Sequence, residues 1–362
     1  MFLKVVTAPQ GAVRSSLQDG HKLGSFLTMK AKLHIGPLLG GGLVTGYRCN
    51  SRCRHCLYAC GPHRKDGAPE DPAKLEGILD QLVEKAPHAR FHIGGGEPFL
   101  DTGLLQQAVE GLADRGLALE YVETNGFWAA TPSRAEETLC ELQKAGLDCI
   151  LVSLSPFHAE FVAPQRTQNA IRAANRVLRN GAFVWLPEFR QDLDDFPPEK
   201  PISFSKLLQK NRAGYALELT ARYGLVLGGR AGRFAAHHFK AVSWSKLNNA
   251  TLCQRRLADT SHFHVDCNGD YVPGLCAGLV LPLDKLPGTL DLAPYPVLEA
   301  LVAGGAVGLA QFAAQYGFEP LDRYASQCDL CTHARTHLRT RAFAELGPEG
   351  FYDPKSVGSF AQ

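Results

Sequence analysis

Residues 49–56 read Cys49-Asn50-Ser51-Arg52-Cys53-Arg54-His55-Cys56, and the rest of the chain is organised around this stretch. Its three thiols are spaced so closely that one short loop can turn them all onto a single soft-metal centre. Four-iron clusters prefer thiolate ligands, and a cube of four irons held by three cysteines leaves one iron open to a further molecule. Half of a zinc site is the alternative, because zinc modules also use closely spaced cysteines.

Three later stretches favour the iron–sulfur cluster. Gly94-Gly95-Gly96-Glu97-Pro98 follows the apolar run 89–93, and glycines there allow the backbone to approach a ligand closely. Thr124-Asn125-Gly126 ends the next strand-like run, and Ser153 and Ser155 end the one after that. Together with the CxxxCxxC spacing, these motifs resemble the signature of the radical S-adenosylmethionine (SAM) superfamily. A zinc module requires none of them.

The resemblance implies a role for each of these residues. Cys49, Cys53 and Cys56 would hold a [4Fe-4S] cluster whose open iron chelates the amino and carboxylate groups of SAM. Glu97 would accept a hydrogen bond from the ammonium group, and His55 stands where the family usually has an aromatic residue near the adenine. The alternative for His55 is a surface histidine. The predicted SAM-binding residues are Gly94, Gly95, Gly96, Glu97, Pro98, His55, Thr124, Asn125, Ser153, Ser155 and Arg230.

Three of the candidate residues have plainer alternatives. Arg230 is predicted to bind a carboxylate of SAM or substrate, although its glycine-rich surroundings also suit a flexible surface turn. His158 follows the fourth strand-like run and Glu188 the fifth, where each is a candidate acid or base. A cap on the following loop is the alternative for His158, and a solvated carboxylate is the alternative for Glu188.

Composition excludes several classes of protein. The chain has 362 residues, with 38 basic and 36 acidic side chains, so it has no electrostatic footprint for nucleic acid or an anionic membrane. The sequence shows no apolar run of the ~20 residues that a membrane span needs, and no signal-peptide pattern. A cytoplasmic location follows, and the 11 cysteines there indicate metal ligation more than disulfides.

The predicted fold class is α/β: a partial (β/α)6 barrel over residues 40–240, after an N-terminal extension over residues 1–39. Short apolar runs alternate with amphipathic helical patterns, and six strand–helix units with right-handed crossovers would curl into such a barrel. Asp71 is predicted to cap the first helix, and residues 215–227 are predicted to supply the last strand. The SAM motifs all fall at the carboxyl ends of predicted strands, where such barrels carry their chemistry.

Residues 241–342 are predicted to form a small α+β domain that contains a β-hairpin at Asn268-Gly269. A cysteine before this hairpin, one after it and a distant CxxC resemble the shortened SPASM, or "twitch", extension of radical SAM enzymes. The resemblance implies an auxiliary [4Fe-4S] cluster, with Cys267 as the rival of Cys276. Residues 343–362 are left as a C-terminal tail. The predicted ligands are Cys253, Cys276, Cys328 and Cys331.

The resemblance implies an enzyme that cleaves SAM reductively to a 5′-deoxyadenosyl radical, which abstracts a hydrogen atom from substrate. An auxiliary redox centre favours an oxidative modification, a dehydrogenation or a cross-link, of a small molecule or peptide. An external one-electron donor of the flavodoxin or ferredoxin type would supply the electron, and no nucleic acid or membrane partner is expected. The alternatives are a redox-neutral mutase or lyase, and an iron–sulfur or zinc protein that is not an enzyme.

Overall fold

The computed structural model describes residues 31–66, 72–210, 213–358 and 360. Its strands are, in chain order, β1 (Lys32–Ile35), β2 (Gly40–Val44), β3 (Arg90–Gly94), β4 (Ala118–Thr124), β5 (Ile150–Val152), β6 (Ala182–Val184), β7 (Val242–Ser243), β8 (Phe263–Asp266), β9 (Asp270–Val272), β10 (Leu281–Pro282), β11 (Gly288–Asp291) and β12 (Arg323–Tyr324). Its helices are α1 (Pro72–Lys85), α2 (Thr102–Asp114), α3 (Pro132–Lys144), α4 (Pro156–Ala159), α5 (Pro164–Val177), α6 (Phe204–Lys210), α7 (Tyr215–Tyr223), α8 (Gly229–His238), α9 (Ala250–Leu257), α10 (Pro296–Ala314), α11 (Gln327–Leu338) and α12 (Pro354–Val357).

An eight-stranded sheet forms the centre of the fold, in the order β10-β9-β8-β2-β3-β4-β5-β6. Strands β2 to β6 are parallel and are neighbours in chain order. Each connection leads to the next strand in the same direction across the sheet. Because such crossovers are right-handed, their helices all pack on one face of the sheet. The other face is then free to line a cavity. The predicted α/β class, with a sheet rich in parallel strands, is confirmed.

Local sequence signals start the helices between these strands. The Asp101 carboxylate accepts a hydrogen bond from the Leu104 amide at 3.0 Å and caps α2. Thr131 accepts from the Arg134 amide and precedes Pro132 at the first position of α3. Asp71, the predicted cap of α1, lies outside the described residues.

The predicted strand over residues 215–227 is wrong, because this segment begins with helix α7. Tyr215, Ala216, Leu219 and Thr220 are buried and recur three to four residues apart, which gives one face of a helix and not an alternating strand. Gly224 ends the helix in the left-handed conformation. The sixth parallel strand is β8, which pairs with β2 at the opposite side of the parallel set.

The C-terminal region contributes directly to the central sheet. Strands β8 and β9 pair antiparallel around the Asn268-Gly269 turn, and β10 continues the meander. Strand β1, within the predicted N-terminal extension, pairs antiparallel with β11. The hairpin thus belongs to the same sheet as strands β2 to β6. The first thirty residues of the extension lie outside the described residues.

Helix α10 is, among the described residues, long and apolar enough by length and composition to cross a membrane. Two helical segments join here across a non-helical Gly305. Half of the helix is buried, and Leu298, Leu301 and Leu309 belong to the main apolar core. The core helix of a globular protein meets the same criteria of length and composition.

Candidate active site

The cysteine loop and the later motifs meet at one cavity of about 410 Å³. The loop leaves the carboxyl end of β2, and the motif 94–98 leaves the adjacent β3. Of the predicted metal and SAM-binding residues, those lining the cavity are Cys49, Cys53, Cys56, His55, Gly95, Gly96, Glu97, Thr124, Asn125, Ser153 and Arg230. Residues that are far apart in sequence are therefore brought together around one space.

The glycines of motif 94–98 pack against the chain that leads into the cysteine loop. The Gly96 amide donates to the Gly46 carbonyl at 2.8 Å, and the Glu97 amide donates to the Arg48 carbonyl at 3.0 Å. A Cβ on Gly96 would lie 1.9 Å from the Arg48 carbonyl oxygen. The close approach that requires glycine at this position is therefore to residues 46–48, whereas the sequence analysis assigned it to a ligand.

Glu97 is 4% exposed, and its carboxylate accepts three hydrogen bonds. The Thr124 hydroxyl and the Asn125 amide each donate at 2.7 Å, and the Phe99 amide donates at 3.3 Å. Burial outweighs these donors and raises the pKa of Glu97 to about 7. Glu97 thus fixes the Thr124-Asn125 turn at the edge of the cavity.

Asn125 connects that turn to the cysteine loop. Its side-chain amide donates to Asn50 Oδ1 at 2.8 Å and lies 3.8 Å from Cys49 Sγ. The Ser51 amide also donates to Cys49 Sγ, at 3.3 Å. Cys49 is therefore held by polar contacts from two separate motifs.

Arg230 is 7% exposed and braces the cysteine loop. Its guanidinium donates to the main-chain carbonyls of Cys53 at 2.9 Å, Cys60 at 2.6 Å and Ser356 at 3.1 Å. The alternative of a flexible surface turn is wrong, because Arg230 lies in the first turn of α8 and is buried. Its guanidinium is directed mainly to the protein backbone, whereas the sequence analysis assigned it to a carboxylate of SAM or substrate.

His55 and His158 form an aromatic corner of the cavity. The His55 ring stacks on Phe157, with centroids 4.6 Å apart, and meets the His158 ring edge-on at 4.8 Å. Ser155 is fully buried, and its hydroxyl is 2.8 Å from His158 Nδ1. Burial lowers the pKa of both imidazoles, that of His158 to about 4, so both are neutral at pH 7. The alternative of a surface histidine at position 55 is therefore wrong.

Glu188 does not lie at this cavity. It is exposed, in a short 3-10 turn (Pro187–Arg190), and the lining of the cavity, as the described residues define it, includes Trp185 of the same segment but not Glu188. The turn after β6 directs Glu188 to solvent, which differs from the barrel-mouth position that the sequence analysis expected.

Different surroundings set the protonation of the three thiols of the loop. Burial raises the pKa of Cys49 to about 12 and that of Cys53 well above its usual range. A hydrogen bond with Cys60 lowers the pKa of Cys56, and Cys60 Sγ lies 3.4 Å from the Gly95 carbonyl oxygen. Iron ligation requires thiolates, so a cluster bound here would release protons on assembly.

The four predicted auxiliary ligands line a second, smaller cavity. Gln327 contacts Cys253 Sγ at 3.6 Å, and Arg256 donates to Cys328 Sγ at 3.0 Å. Cys267 lies elsewhere, in a buried cluster with Val44, Tyr47, Cys49 and Cys60. Since Cys267 is buried beside the first loop, the second cavity has a set of four thiols without it. These four are Cys253, Cys276, Cys328 and Cys331.

The sequence analysis missed several residues that line the first cavity. Tyr121 and Glu123 project from β4 on the same face, two residues apart, just before Thr124. The alternation of side chains along a strand could have identified them, because every second residue faces the same side of the sheet. The other missed lining residues include Tyr58, Trp185, Tyr223 and His262.

Comparison with known proteins gives one family match. Residues 43–184 match the Radical SAM superfamily. No curated protein matches this sequence.

Three solved structures are similar to this chain at low identity. The structure of anSMEcpe with bound AdoMet and the Kp18Cys peptide has 18% identity and a TM-score of 0.32, and covers 40% of this chain and 42% of its own. BtrN in complex with AdoMet and 2-DOIA has 13% identity and a TM-score of 0.39, over 70% of this chain and 80% of its own. SuiB of Streptococcus suis has 13% identity and a TM-score of 0.29, over 66% of this chain and 60% of its own. This chain thus spans less than half the length of the first of these structures.

The donor set at the first cavity fits a four-iron cluster. Cys49, Cys53 and Cys56 supply three thiols from one loop, and Asn125 and Arg230 hold that loop in place. The family match covers the loop and the motif 94–98. Residues 43–184 of this chain are therefore similar to a radical SAM superfamily domain, and they include the thiols and the glycine-rich motif described above.

Proposed function

We propose that this protein is a radical SAM enzyme that carries out an oxidative modification of a small molecule or a peptide. The observation that carries the proposal is the meeting of the three-cysteine loop, motif 94–98 and Thr124-Asn125 around one cavity. In this reaction SAM receives one electron and cleaves to methionine and a 5′-deoxyadenosyl radical. The radical takes a hydrogen atom from substrate and becomes 5′-deoxyadenosine.

In this proposal Cys49, Cys53 and Cys56 hold the [4Fe-4S] cluster, which supplies the electron that cleaves the sulfonium of SAM. The chain itself orients SAM. Thr124 and Asn125, fixed by Glu97, face the end of SAM nearest the cysteine loop. The His55–Phe157 stack offers an aromatic surface to the adenine, and Ser153 offers a hydroxyl to the ribose.

Four further lining residues of the cavity suit the substrate. They are Tyr121, Glu123, Trp185 and Tyr223, and the Trp185 side chain is 54% exposed. Aromatic walls that exclude water protect a carbon radical from competing donors. The neutral His158 imidazole lies beside them and is the proposed site of proton transfer, whereas the position of exposed Glu188 does not suit this role.

The second set of thiols supports an auxiliary cluster within residues 241–342. Cys253, Cys276, Cys328 and Cys331 would close it without an open iron, so electron transfer from the substrate radical is its proposed role. Arg256, next to Cys328, and buried Arg335, next to Cys331, would balance the negative charge of a cluster held by four thiolates. An external one-electron donor of the flavodoxin or ferredoxin type supplies the electron for SAM cleavage. The electron that the auxiliary cluster takes from the substrate radical passes to the oxidised form of the same partner, in a protein that we place in the cytoplasm.

The first test counts iron and SAM cleavage. Anaerobically reconstituted protein should contain about eight irons, from two four-iron clusters, and should form 5′-deoxyadenosine when dithionite is added. Replacing Cys49, Cys53 and Cys56 with Ala should remove about half of the iron and abolish the cleavage, whereas Cys140→Ala, at an exposed position, is the matched control. Stoichiometric zinc with little iron would contradict the proposal and favour a zinc protein.

The second test separates the two candidate ligands after the hairpin. Cys276→Ala should lower the iron content by up to half and leave SAM cleavage without substrate intact. Cys267→Ala should keep all the iron, since Cys267 lies in a different buried cluster. The reverse result, iron lost with Cys267→Ala alone, would contradict the proposed auxiliary ligands.

A further inference from the structure

A cluster of three histidines, distinct from both sets of cysteines, lies on the central sheet. His92 is on β3, His264 is on β8, and His262 immediately precedes β8. One ring nitrogen from each lies within 4.8 Å of the other two. His92 and His264 are buried, and His262 is half-buried. The two strands that carry these histidines are separated in the sheet by β2.

Gly42 of β2 makes the meeting of these rings across a strand possible. It pairs with His92 on one side and with His264 on the other, so all three residues lie on one row of the sheet. Register partners of this kind present their side chains on the same face. A Cβ at Gly42 would lie 2.5 Å from His92 Nε2 and 2.4 Å from His264 Cδ2. Both rings therefore occupy the space that any other residue at position 42 would fill.

Neighbouring side chains orient the rings. The Tyr58 hydroxyl lies 2.7 Å from His264 Nδ1, which leaves Nε2 directed towards Gly42. Tyr121, the register partner of His92 on β4, stacks on His92 with an interplanar angle of 13°. In metal sites a hydrogen bond at the other ring nitrogen, such as that between Tyr58 and His264, fixes the orientation and the tautomer of the ring. Tyr58 comes from the cysteine loop, so the loop and the histidine cluster are in direct contact.

The three histidines are uncharged at pH 7, which allows them to bind a cation. Burial lowers the pKa of His92 to about 4 and lowers those of His262 and His264 as well, so all three imidazoles are neutral at pH 7. Neutral imidazole is the form that ligates a metal. Glu123 adds a carboxylate, with Oε1 3.9 Å from His92 Nε2.

We propose that His92, His262 and His264, with Glu123 beside them, bind a divalent transition-metal ion of the kind that prefers imidazole, with Zn²⁺ or Fe²⁺ as the leading examples. Metal–nitrogen bonds of about 2.0–2.1 Å place tetrahedral ligand atoms roughly 3.3 Å apart, so ring nitrogens that lie within 4.8 Å of one another close by up to about 1.5 Å on binding. The His262 ring stacks on His92, with centroids 5.2 Å apart and an interplanar angle of 14°. His262, which is half-buried and precedes the strand, therefore also turns to direct its nitrogen at the ion.

The site opens towards the SAM cavity. His262, Glu123, Tyr58 and Tyr121 line that cavity together with the cysteine loop. Three histidines leave a coordination position for an outside ligand, as in catalytic zinc sites. The ligand class is therefore a substrate with an oxygen or nitrogen donor, which the ion would hold in the same cavity as SAM. The metal site itself does not rest on the proposed function, because the ion binds whether or not SAM is cleaved.

The test uses Co²⁺ as a spectroscopic probe on the full-length chain after anaerobic reconstitution and removal of unbound metal. We expect one cobalt per chain, with visible d–d absorption and without the thiolate-to-cobalt charge-transfer bands that a cysteine site would give. His92→Gln and His264→Gln should each weaken cobalt binding at least tenfold. His88→Gln, at an exposed position just before β3, is the matched control and should bind as the wild type does.

Gly42→Ala gives an independent test, because its Cβ would displace both rings without removing a ligand. It should lose the cobalt site while keeping the iron of the cysteine sets. If this variant fails to fold, the two histidine variants still decide the matter. The proposal is overturned if cobalt binds only with thiolate bands, or if it binds equally well in both histidine variants. Loss of SAM cleavage with an intact cobalt site would count against the proposed function alone.

Discussion

At the scale of single residues, Glu97 and Arg230 illustrate how the side chains of a SAM motif are used by the protein itself. Both line the cavity, yet the hydrogen bonds described for them are with protein groups: three donors surround the Glu97 carboxylate, and three carbonyls surround the Arg230 guanidinium. Each links segments that are far apart in sequence. Their contacts therefore position Thr124, Asn125 and the cysteine loop.

Glu97→Ala should destabilise the cluster-free protein by about 1–3 kcal/mol, because it leaves the Thr124, Asn125 and Phe99 donors without their buried acceptor. Glu97→Gln keeps one acceptor oxygen and should cost less. Urea unfolding measures both, with Glu141→Gln on the exposed face of α3 as the control. An Ala variant as stable as wild type would contradict this account of the motif.

The raised pKa of Glu97 makes the stability of the protein depend on pH, with a definite sign. Burial raises the pKa of Glu97 to about 7, above its value of about 4.3 in the unfolded chain. Between these values the native state binds the extra proton, so the stabilisation falls as pH rises, by at most about 1.4 kcal/mol per pH unit. The stability of wild type relative to Glu97→Gln should therefore decrease from pH 5 to pH 7. A constant difference would count against the raised pKa.

At the scale of elements, the cysteine loop takes its shape from the strand end beside it. Gly96→Ala would push a Cβ against the Arg48 carbonyl and separate motif 94–98 from the loop. We expect lower iron retention on the loop and a clear loss of thermal stability. Gly77→Ala is the matched control, because no atom lies within 4 Å of its added Cβ and alanine is favoured over glycine within α1 by about 1 kcal/mol. Equal iron content in the two variants would contradict the expected role of Gly96.

At the scale of the whole molecule, the C-terminal segment packs against both sets of cysteines. The Ser356 carbonyl accepts from Arg230, which braces the first loop, and the Tyr352 hydroxyl lies 3.1 Å from Arg335 beside the second set. Phe351, Tyr352 and Val357 share a buried cluster with Ala59 and Ala277. Although the sequence analysis treated residues 343–362 as a tail, part of this segment belongs to the packed structure.

Removing residues 349–362 should therefore lower iron retention at both sets of cysteines, since Arg230 and Arg335 each lose a partner. Iron per chain after reconstitution, together with hydrogen exchange of the cysteine loop, measures the effect. Ser356→Ala keeps the main-chain carbonyl that Arg230 contacts and removes only the hydroxyl, which contacts His63 and donates to the Gly350 carbonyl, so it should cause a much smaller loss. Full iron content in the truncated chain would contradict this role.

The sequence by itself determined the features of this protein that depend on local chemistry. Cysteine spacing indicated the three-thiol loop, cap residues such as Asp101 and Thr131 marked helix starts, and apolar runs ending in polar side chains such as Thr124 marked the strand ends. Only the tertiary structure decided that β8 joins β2, that His92 and His264 meet over Gly42, and that Ser356 contacts Arg230. These contacts join residues that are far apart in the sequence. A local hydrophobic period shows which face of a strand or helix is buried, but not which distant strand or segment packs against it.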